Sequence, residues 1–361
     1  MRPISAADAI SPAVQRTREF LFRPFRWGTF LKLGLVAIIT EGVGSNFNSS
    51  HGGHPQQHGP ADHAPFSMPS GGPDFHFPFH LAPEAIAAIV AAVLLMLVLA
   101  AFVAYLVTRL RFAFFHCLVH NVKEIRPGWY LYREQATRFF WLNVVVGLCF
   151  LLVVALVAIP FGAGFWRLFH EIPPGGHPNW GMLLALILPL IPIAILLVIT
   201  GVLADVVLRD WMLPHYALDD ASAGEAWERV WASFTAEKLQ FFVYALLRLI
   251  LPTIATVALF FVLLIPGAVV AGSVAMLEYG IHSAFAGTSG ASWAAGIFLE
   301  AFFGAVAFGF ALLLGICLGG PLSAGIREFA LIFYGGRYQA LGDILFPPPP
   351  PPPGLGRPQI A

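Results

Sequence analysis

Residues 85–108 read AIAAIVAAVLLMLVLAAFVAYLVT and contain no charged side chain. A helix needs about 20 apolar residues to cross the roughly 30 Å hydrocarbon core of a bilayer. Only helices and closed barrels satisfy their own backbone hydrogen bonds there. This stretch is long enough, and it lacks the alternation of polar and apolar residues that is typical of a half-buried strand. It therefore predicts a transmembrane helix.

Similar apolar stretches recur along the chain. Of its 361 residues, 58% are hydrophobic and only 11% are charged, whereas a soluble domain has about 25% charged residues. We predict an all-α polytopic membrane helix bundle with six transmembrane helices and additional amphipathic interfacial helices. The predicted spans are 27–44, 84–108, 139–162, 181–205, 241–271 and 294–320.

The first of these spans is the weakest, because Lys32 and Glu41 interrupt it near its two ends. Charged side chains near the ends of a span extend toward the lipid headgroups at modest cost. We expect both residues to do so, which leaves the span intact.

Basic residues alternate between the two sides of the predicted spans. The segments 1–26, 108–138, 206–240 and the tail after 320 hold 17 Lys and Arg residues, whereas the intervening loops hold only Arg167. Lys and Arg in short loops accumulate on the cytoplasmic side. This alternation predicts that both termini lie in the cytoplasm, and it supports the first span. The formal net charge of zero argues against a nucleic-acid partner.

The chain divides into three predicted regions. Residues 1–26 form a cytoplasmic amphipathic segment, 27–340 the membrane domain, and 341–361 a Pro-rich cytoplasmic tail. The external loop 45–83 is rich in His, Gly and Pro and is predicted to be disordered. It is interpreted as a solvated spacer, with weak metal capture as the alternative.

Each outward-going span follows an aromatic and basic segment, which is compatible with three hairpin repeats.

The segment between the fourth and fifth spans predicts an amphipathic helix. Ser222 and Glu225 have the spacing of a capping box. Trp227, Val230 and Trp231, followed by Phe234, then recur at helical spacing. We expect this helix to lie in the cytoplasmic headgroup layer and its two tryptophans to bind lipid or a membrane partner.

The same segment carries a family resemblance. An Asp and a Pro leave the preceding span in LRDWMLP, ALDDASAGEAW follows, and an aromatic and basic stretch enters the next span. This order resembles uncharacterised bacterial six-helix membrane proteins related to the membrane domain of some glycerophosphoryl diester phosphodiesterases. The resemblance implies an integral inner-membrane protein. It does not imply phosphodiesterase activity, because the chain has no counterpart of the soluble catalytic barrel.

Ionisable residues inside spans are costly and therefore mark candidate binding sites. Three stand out: Asp205, Arg248 and Glu300. Asp205 and Arg248 lie toward the cytoplasmic side and are placed to form a pair. Glu300 lies near the external end of the last span, where a proton or cation site of a transporter is one interpretation.

His116 and His120 have the i, i+4 spacing of a helical metal pair, but the intervening sequence CLV lacks the Glu of a metalloprotease motif. We interpret them as an interfacial pair and keep them only as weak metal candidates. The sequence contains neither a Walker phosphate loop nor a GxGxxG turn. No catalytic residue and no cofactor is predicted.

Three functions are compatible with these patterns. The leading one is a non-enzymatic inner-membrane protein that binds lipid or another membrane protein in envelope maintenance or assembly. The first alternative is a secondary transporter or channel-like protein that uses Glu300, Asp205 and Arg248. The second alternative is an intramembrane enzyme. It is disfavoured because the sequence shows no nucleophile and base that would converge in one site.

Overall fold

The computed structural model describes residues 4–42, 83–170, 180–285 and 289–347, and within them every regular element is a helix. The predicted external loop and the proline run after Pro347 lie outside the described residues. The α-helices, in chain order, are α1 (Ile10–Phe22), α2 (Trp27–Ala37), α3 (Pro83–His120), α4 (Ile125–Leu131), α5 (Arg133–His170), α6 (Trp180–Val206), α7 (Leu213–Leu218), α8 (Ala223–Ala236), α9 (Lys238–Phe285), α10 (Ala291–Gly335) and α11 (Gln339–Leu345).

Five helical segments of the described chain are long and apolar enough to cross a membrane. Their most apolar windows have mean hydropathies of 2.4 to 3.1, and in four of the five no residue of that window is buried. Apolar surface of this size has no favourable place in water. The all-helical class is confirmed, and the exposed windows are consistent with an integral membrane protein. The segments are Ala85–His120, Arg133–Leu168, Trp180–Leu218, Lys238–Phe285 and Ala291–Gly335.

The long helices extend beyond the apolar windows, and their extensions build the packed core. The 48 residues of α9 span about 72 Å at 1.5 Å per residue, more than twice the thickness of a bilayer core. The buried side chains gather at one end, where α1, α4, α7, α8 and α11 surround the long helices. We call this the basic end, and the opposite end, where α9 ends and α10 begins, the far end.

The predicted first span is the element that departs most from expectation. α2 and the π-helical turn Ile38–Gly42 that follows it measure only about 24 Å at 1.5 Å per residue. The helix packs tightly on α10: a Cβ atom added at Gly320 would lie 2.6 Å from Cα of Gly34. A sixth crossing is not among the five candidate spans of the described residues, so the six-span count and the hairpin repeats stay predictions.

The predicted amphipathic helix forms as α8, and its predicted cap is confirmed. The backbone N–H of Ser222 donates to Oε2 of Glu225 at 2.9 Å, and the N–H of Glu225 donates to Oγ of Ser222 at 3.4 Å. Hydrogen bonds from the backbone N–H and the side chain of Ser222 to the Glu225 carboxylate hold the pKa of Glu225 below its usual value. Their stabilisation is present above the unfolded pKa of glutamate and is lost as the pH falls through the lowered value.

Candidate functional site

A cluster of buried charges at the basic end is centred on Asp210, in the π-helical turn Val207–Met212 that follows α6. Its carboxylate is fully buried. Oδ2 accepts from the hydroxyl of Tyr244 at 2.7 Å and from Nε of Arg248 at 3.0 Å, and Oδ1 accepts from Nη1 of Arg327 at 2.9 Å. Asp210 therefore joins α6, α9 and α10 through charge-assisted bonds, which are stronger than neutral ones.

Glu41 is the second carboxylate of this cluster. Its Oε2 lies 3.0 Å from Nη2 of Arg248 and 3.4 Å from Nη1 of Arg209, and its Oε1 lies 3.9 Å from Nε of Arg327. The expectation that Glu41 extends to the headgroups is therefore wrong: its side chain is only 5% exposed. Because three guanidinium groups converge on it, its charge is compensated inside the protein instead of in water. Lys32 is exposed, and its extension to the headgroups stays a prediction.

Two further charged residues complete the cluster. Oδ1 of Asp205 lies 3.1 Å from Nη2 of Arg209. Nε of Arg111 donates to the backbone oxygen of Thr40 at 3.1 Å, and its guanidinium interacts electrostatically with Asp205 and Glu41.

We define these residues as the ionic cluster: Glu41, Asp205, Asp210, Arg111, Arg209, Arg248 and Arg327. Four guanidinium groups face three carboxylates, which leaves one positive charge in excess. The adjacent pair of Arg16 and Glu328, with Nε 3.2 Å from Oε2, is not included in this count. All three carboxylates are engaged by arginines, so the cluster fixes helices to one another and offers no free general base.

The predicted residues of the transporter interpretation separate in the structure. Asp205 pairs with Arg209, while Arg248 pairs with Asp210 and Glu41. Glu300 lies at the far end, where its Oε1 is 3.1 Å from Nδ1 of His282.

The separation along α9 is large. His282 follows Arg248 by 34 positions, which corresponds to about 50 Å of helix. Glu300 therefore shares no site with Arg248, and the transporter interpretation loses the convergence of charges on which it rested.

Trp227 and Trp231 lie side by side on the outer face of α8. Their rings stack with centroids 5.9 Å apart and an interplanar angle of 19°. They are 47% and 51% exposed, whereas Ala226 and Val230, on the adjacent side of the helix that faces the core, are buried. The aromatic face is thus available to lipid or to a partner. The binding roles of both tryptophans stay predictions.

The predicted histidine pair is also adjacent in space. The rings of His116 and His120 have centroids 4.6 Å apart on the last turns of α3. Among the described residues, no group of three or more His, Cys, Asp or Glu side chains has the arrangement of a metal site. A helical pair alone supplies too few ligands for the four-coordinate sites typical of zinc.

The sequence interpretation missed Asp210, Arg327 and Tyr244 as members of a common site. In the sequence, Asp210 contributes only to the LRDWMLP motif, and Arg327 only to the count of basic residues after position 320. A signal was present: both lie within continuous apolar and aromatic sequence, RDWMLPHY and GIREFALIFY. A charge embedded in such a sequence is costly to bury without a partner, so it indicates one.

Comparison with known proteins leads to one family. Residues 4–344 match the model of a family described as one of unknown function (DUF7544). No curated protein and no solved structure matches the chain. The resemblance to an uncharacterised family is therefore confirmed in general terms. Nothing in these comparisons links the chain to the membrane domain of glycerophosphoryl diester phosphodiesterases.

Proposed function

Because the chain belongs to this family of unknown function, we propose its role from the geometry of the basic end. The proposed protein is a non-enzymatic integral protein of the bacterial inner membrane, with six spans and both termini in the cytoplasm. It binds lipid or a membrane partner through its basic, cytoplasmic end and acts in envelope maintenance or assembly.

The observation that carries this proposal is the exposed, stacked pair Trp227 and Trp231. Tryptophan is enriched at membrane interfaces, because its ring is apolar while its N–H is polar. Two such rings on the outer side of an amphipathic helix bind apolar surface with little loss of conformational freedom. The capping box fixes the start of α8, and Val230 anchors the helix in the core. The aromatic face is therefore held in place before a ligand arrives.

The proposal predicts that the double variant Trp227→Ala, Trp231→Ala loses bound lipid or partner. Each ring is about half exposed, and complete loss of the two contacts is expected to weaken binding by about tenfold or more, since an aromatic anchor contributes on the order of 1–2 kcal/mol. The measurement is native mass spectrometry of the full chain extracted with its lipids, with co-purifying proteins identified in parallel.

A matched control is available at the far end. Trp166 and Trp180 are each 67% exposed. The double variant Trp166→Ala, Trp180→Ala therefore also removes two exposed tryptophans, but from the opposite end of the molecule. We expect it to keep the lipid and partner profile of the wild type. An unchanged profile in the Trp227 and Trp231 variant, or an equal loss in both variants, contradicts the proposed role of α8.

A further inference from the structure

An apolar groove runs between α1, α9 and α10 at the basic end. Its volume is about 390 Å³, within the range of sites that hold small ligands. The walls are almost entirely hydrocarbon, contributed by Ala13, Val14, Leu251, Ala255, Pro321 and Ile326. The wall residues on α9 and α10 belong to two of the candidate membrane spans, so we expect the groove to face the bilayer.

Two arginines interrupt the hydrocarbon lining of the groove. Arg248 belongs to the ionic cluster, and it brings that cluster to the groove wall. Arg18 also lines the groove and is exposed on α1. No described carboxylate lies within ion-pair distance of Arg18, whereas its neighbour Arg16 pairs with Glu328. The groove thus combines a long apolar wall with a cationic rim.

The charge balance of the neighbourhood favours an anion. The ionic cluster has one guanidinium more than it has carboxylates, and Arg18 adds a second unbalanced charge. Basic pockets between membrane helices on the cytoplasmic side bind anionic lipid headgroups, and each basic side chain near the membrane surface contributes about 1 kcal/mol. An apolar wall without the arginines would fit the acyl chain of any lipid equally well. The arginines therefore supply the selectivity for an anionic lipid.

We infer that this groove is a binding site for one anionic phospholipid, with an acyl chain against α9 and α10 and its phosphate at Arg18. The inference deepens the proposed function, because it names the lipid class and a place for it. It rests on different residues from those of α8, and the two are therefore tested separately.

The apolar part of the site is tested by filling the groove. Ala255 lines it, so Ala255→Phe places a ring where the acyl chain would lie. Val257, two positions further along the same helix, is 48% exposed and does not line the groove, which makes Val257→Phe the matched control. With delipidated full-length protein titrated with phosphatidylglycerol, we expect Ala255→Phe to lose the bound lipid and Val257→Phe to retain it.

The charged part is tested by Arg18→Gln, with Arg126→Gln as its control. Arg126 is also exposed at the basic end and lies outside the groove lining. Loss of one surface arginine is expected to weaken phosphatidylglycerol binding by about fivefold. Phosphatidylcholine carries a choline cation that offsets its phosphate charge, so it should bind less tightly to the wild type and lose less affinity in Arg18→Gln than phosphatidylglycerol does.

A third probe, sodium phosphate, separates a lipid site from a phosphate site. Competition by phosphate alone at millimolar concentration would overturn the inference, as would equal affinity for the two lipids or equal effects of Ala255→Phe and Val257→Phe. If these variants bind like the wild type while the α8 double variant still loses lipid, the groove assignment fails and the proposed function stands. If only the groove variants lose lipid, the groove assignment stands and the role of α8 fails.

Discussion

Replacement of Asp210 by Asn is expected to be the most destabilising single change in this protein. Asp210 is fully buried, and it accepts bonds from Arg248, Arg327 and Tyr244. The amide is neutral, so both arginines would stay buried without this counter-charge. Breaking one partner of a buried ion pair costs about 3–5 kcal/mol. The free energy of unfolding, measured by denaturant titration in mixed micelles, should fall by that amount.

Two control variants show whether the loss of the buried charge causes the destabilisation in Asp210→Asn. Tyr244→Phe removes one hydrogen bond to Asp210 but leaves the ion pairs in place, and it should cost only about 1.5–3 kcal/mol. Asp343→Asn removes a carboxylate from an exposed position on α11 and should change stability by less than about 0.5 kcal/mol. A loss in Asp210→Asn no larger than that in Tyr244→Phe would show that the buried charges are compensated in another way.

The second large effect is expected from Gly320→Ala. A Cβ atom at this position would lie 2.6 Å from Cα and 3.2 Å from the carbonyl oxygen of Gly34. The contact is with backbone, so no side-chain rotation relieves it, and α2 and α10 must separate. Overpacking of this kind costs about 1–3 kcal/mol, even though alanine favours a helix by about 1 kcal/mol over glycine.

Gly315, five positions earlier on the same helix, provides the control. A Cβ atom there would meet nothing within 4 Å, so Gly315→Ala should be neutral or slightly stabilising through helix propensity. Thermal unfolding in mild detergent, followed by tryptophan fluorescence, gives both values. Equal midpoints for the two variants would mean that α2 does not pack on α10 as closely as the structure has it.

Separation of α2 from α10 also has a consequence for the ionic cluster. The helix carries Glu41 into the cluster through the turn that follows it. Moving α2 outward therefore weakens the pairs of Glu41 with Arg209 and Arg248. We expect Gly320→Ala and Glu41→Gln to be less than additive in one protein, because both act on the same contacts.

Several features of the molecule follow from local sequence. Long apolar stretches predict the five candidate spans, because backbone hydrogen bonding in hydrocarbon leaves few alternatives to a helix. The cap of α8 is equally local, since Ser222 and Glu225 lie within one turn of each other. The ends of the helices were less predictable. The fifth span was predicted to end at 271, whereas α9 continues to Phe285, because a helix continues beyond the apolar stretch where the packing of the bundle permits it.

What only the tertiary structure decided is which charges meet. Glu41 pairs with residues 168 and 207 positions away along the chain, and Asp210 with one 117 positions away. No periodicity identifies such partners, because a guanidinium group pairs with any carboxylate that packing brings within about 4 Å. The sequence by itself determined a helical membrane protein with a basic end and an amphipathic, tryptophan-bearing helix. The packing of α2 on α10 decided that Glu41 is buried with three arginines, because the close approach of Gly34 and Gly320 brings the end of that helix into the cluster.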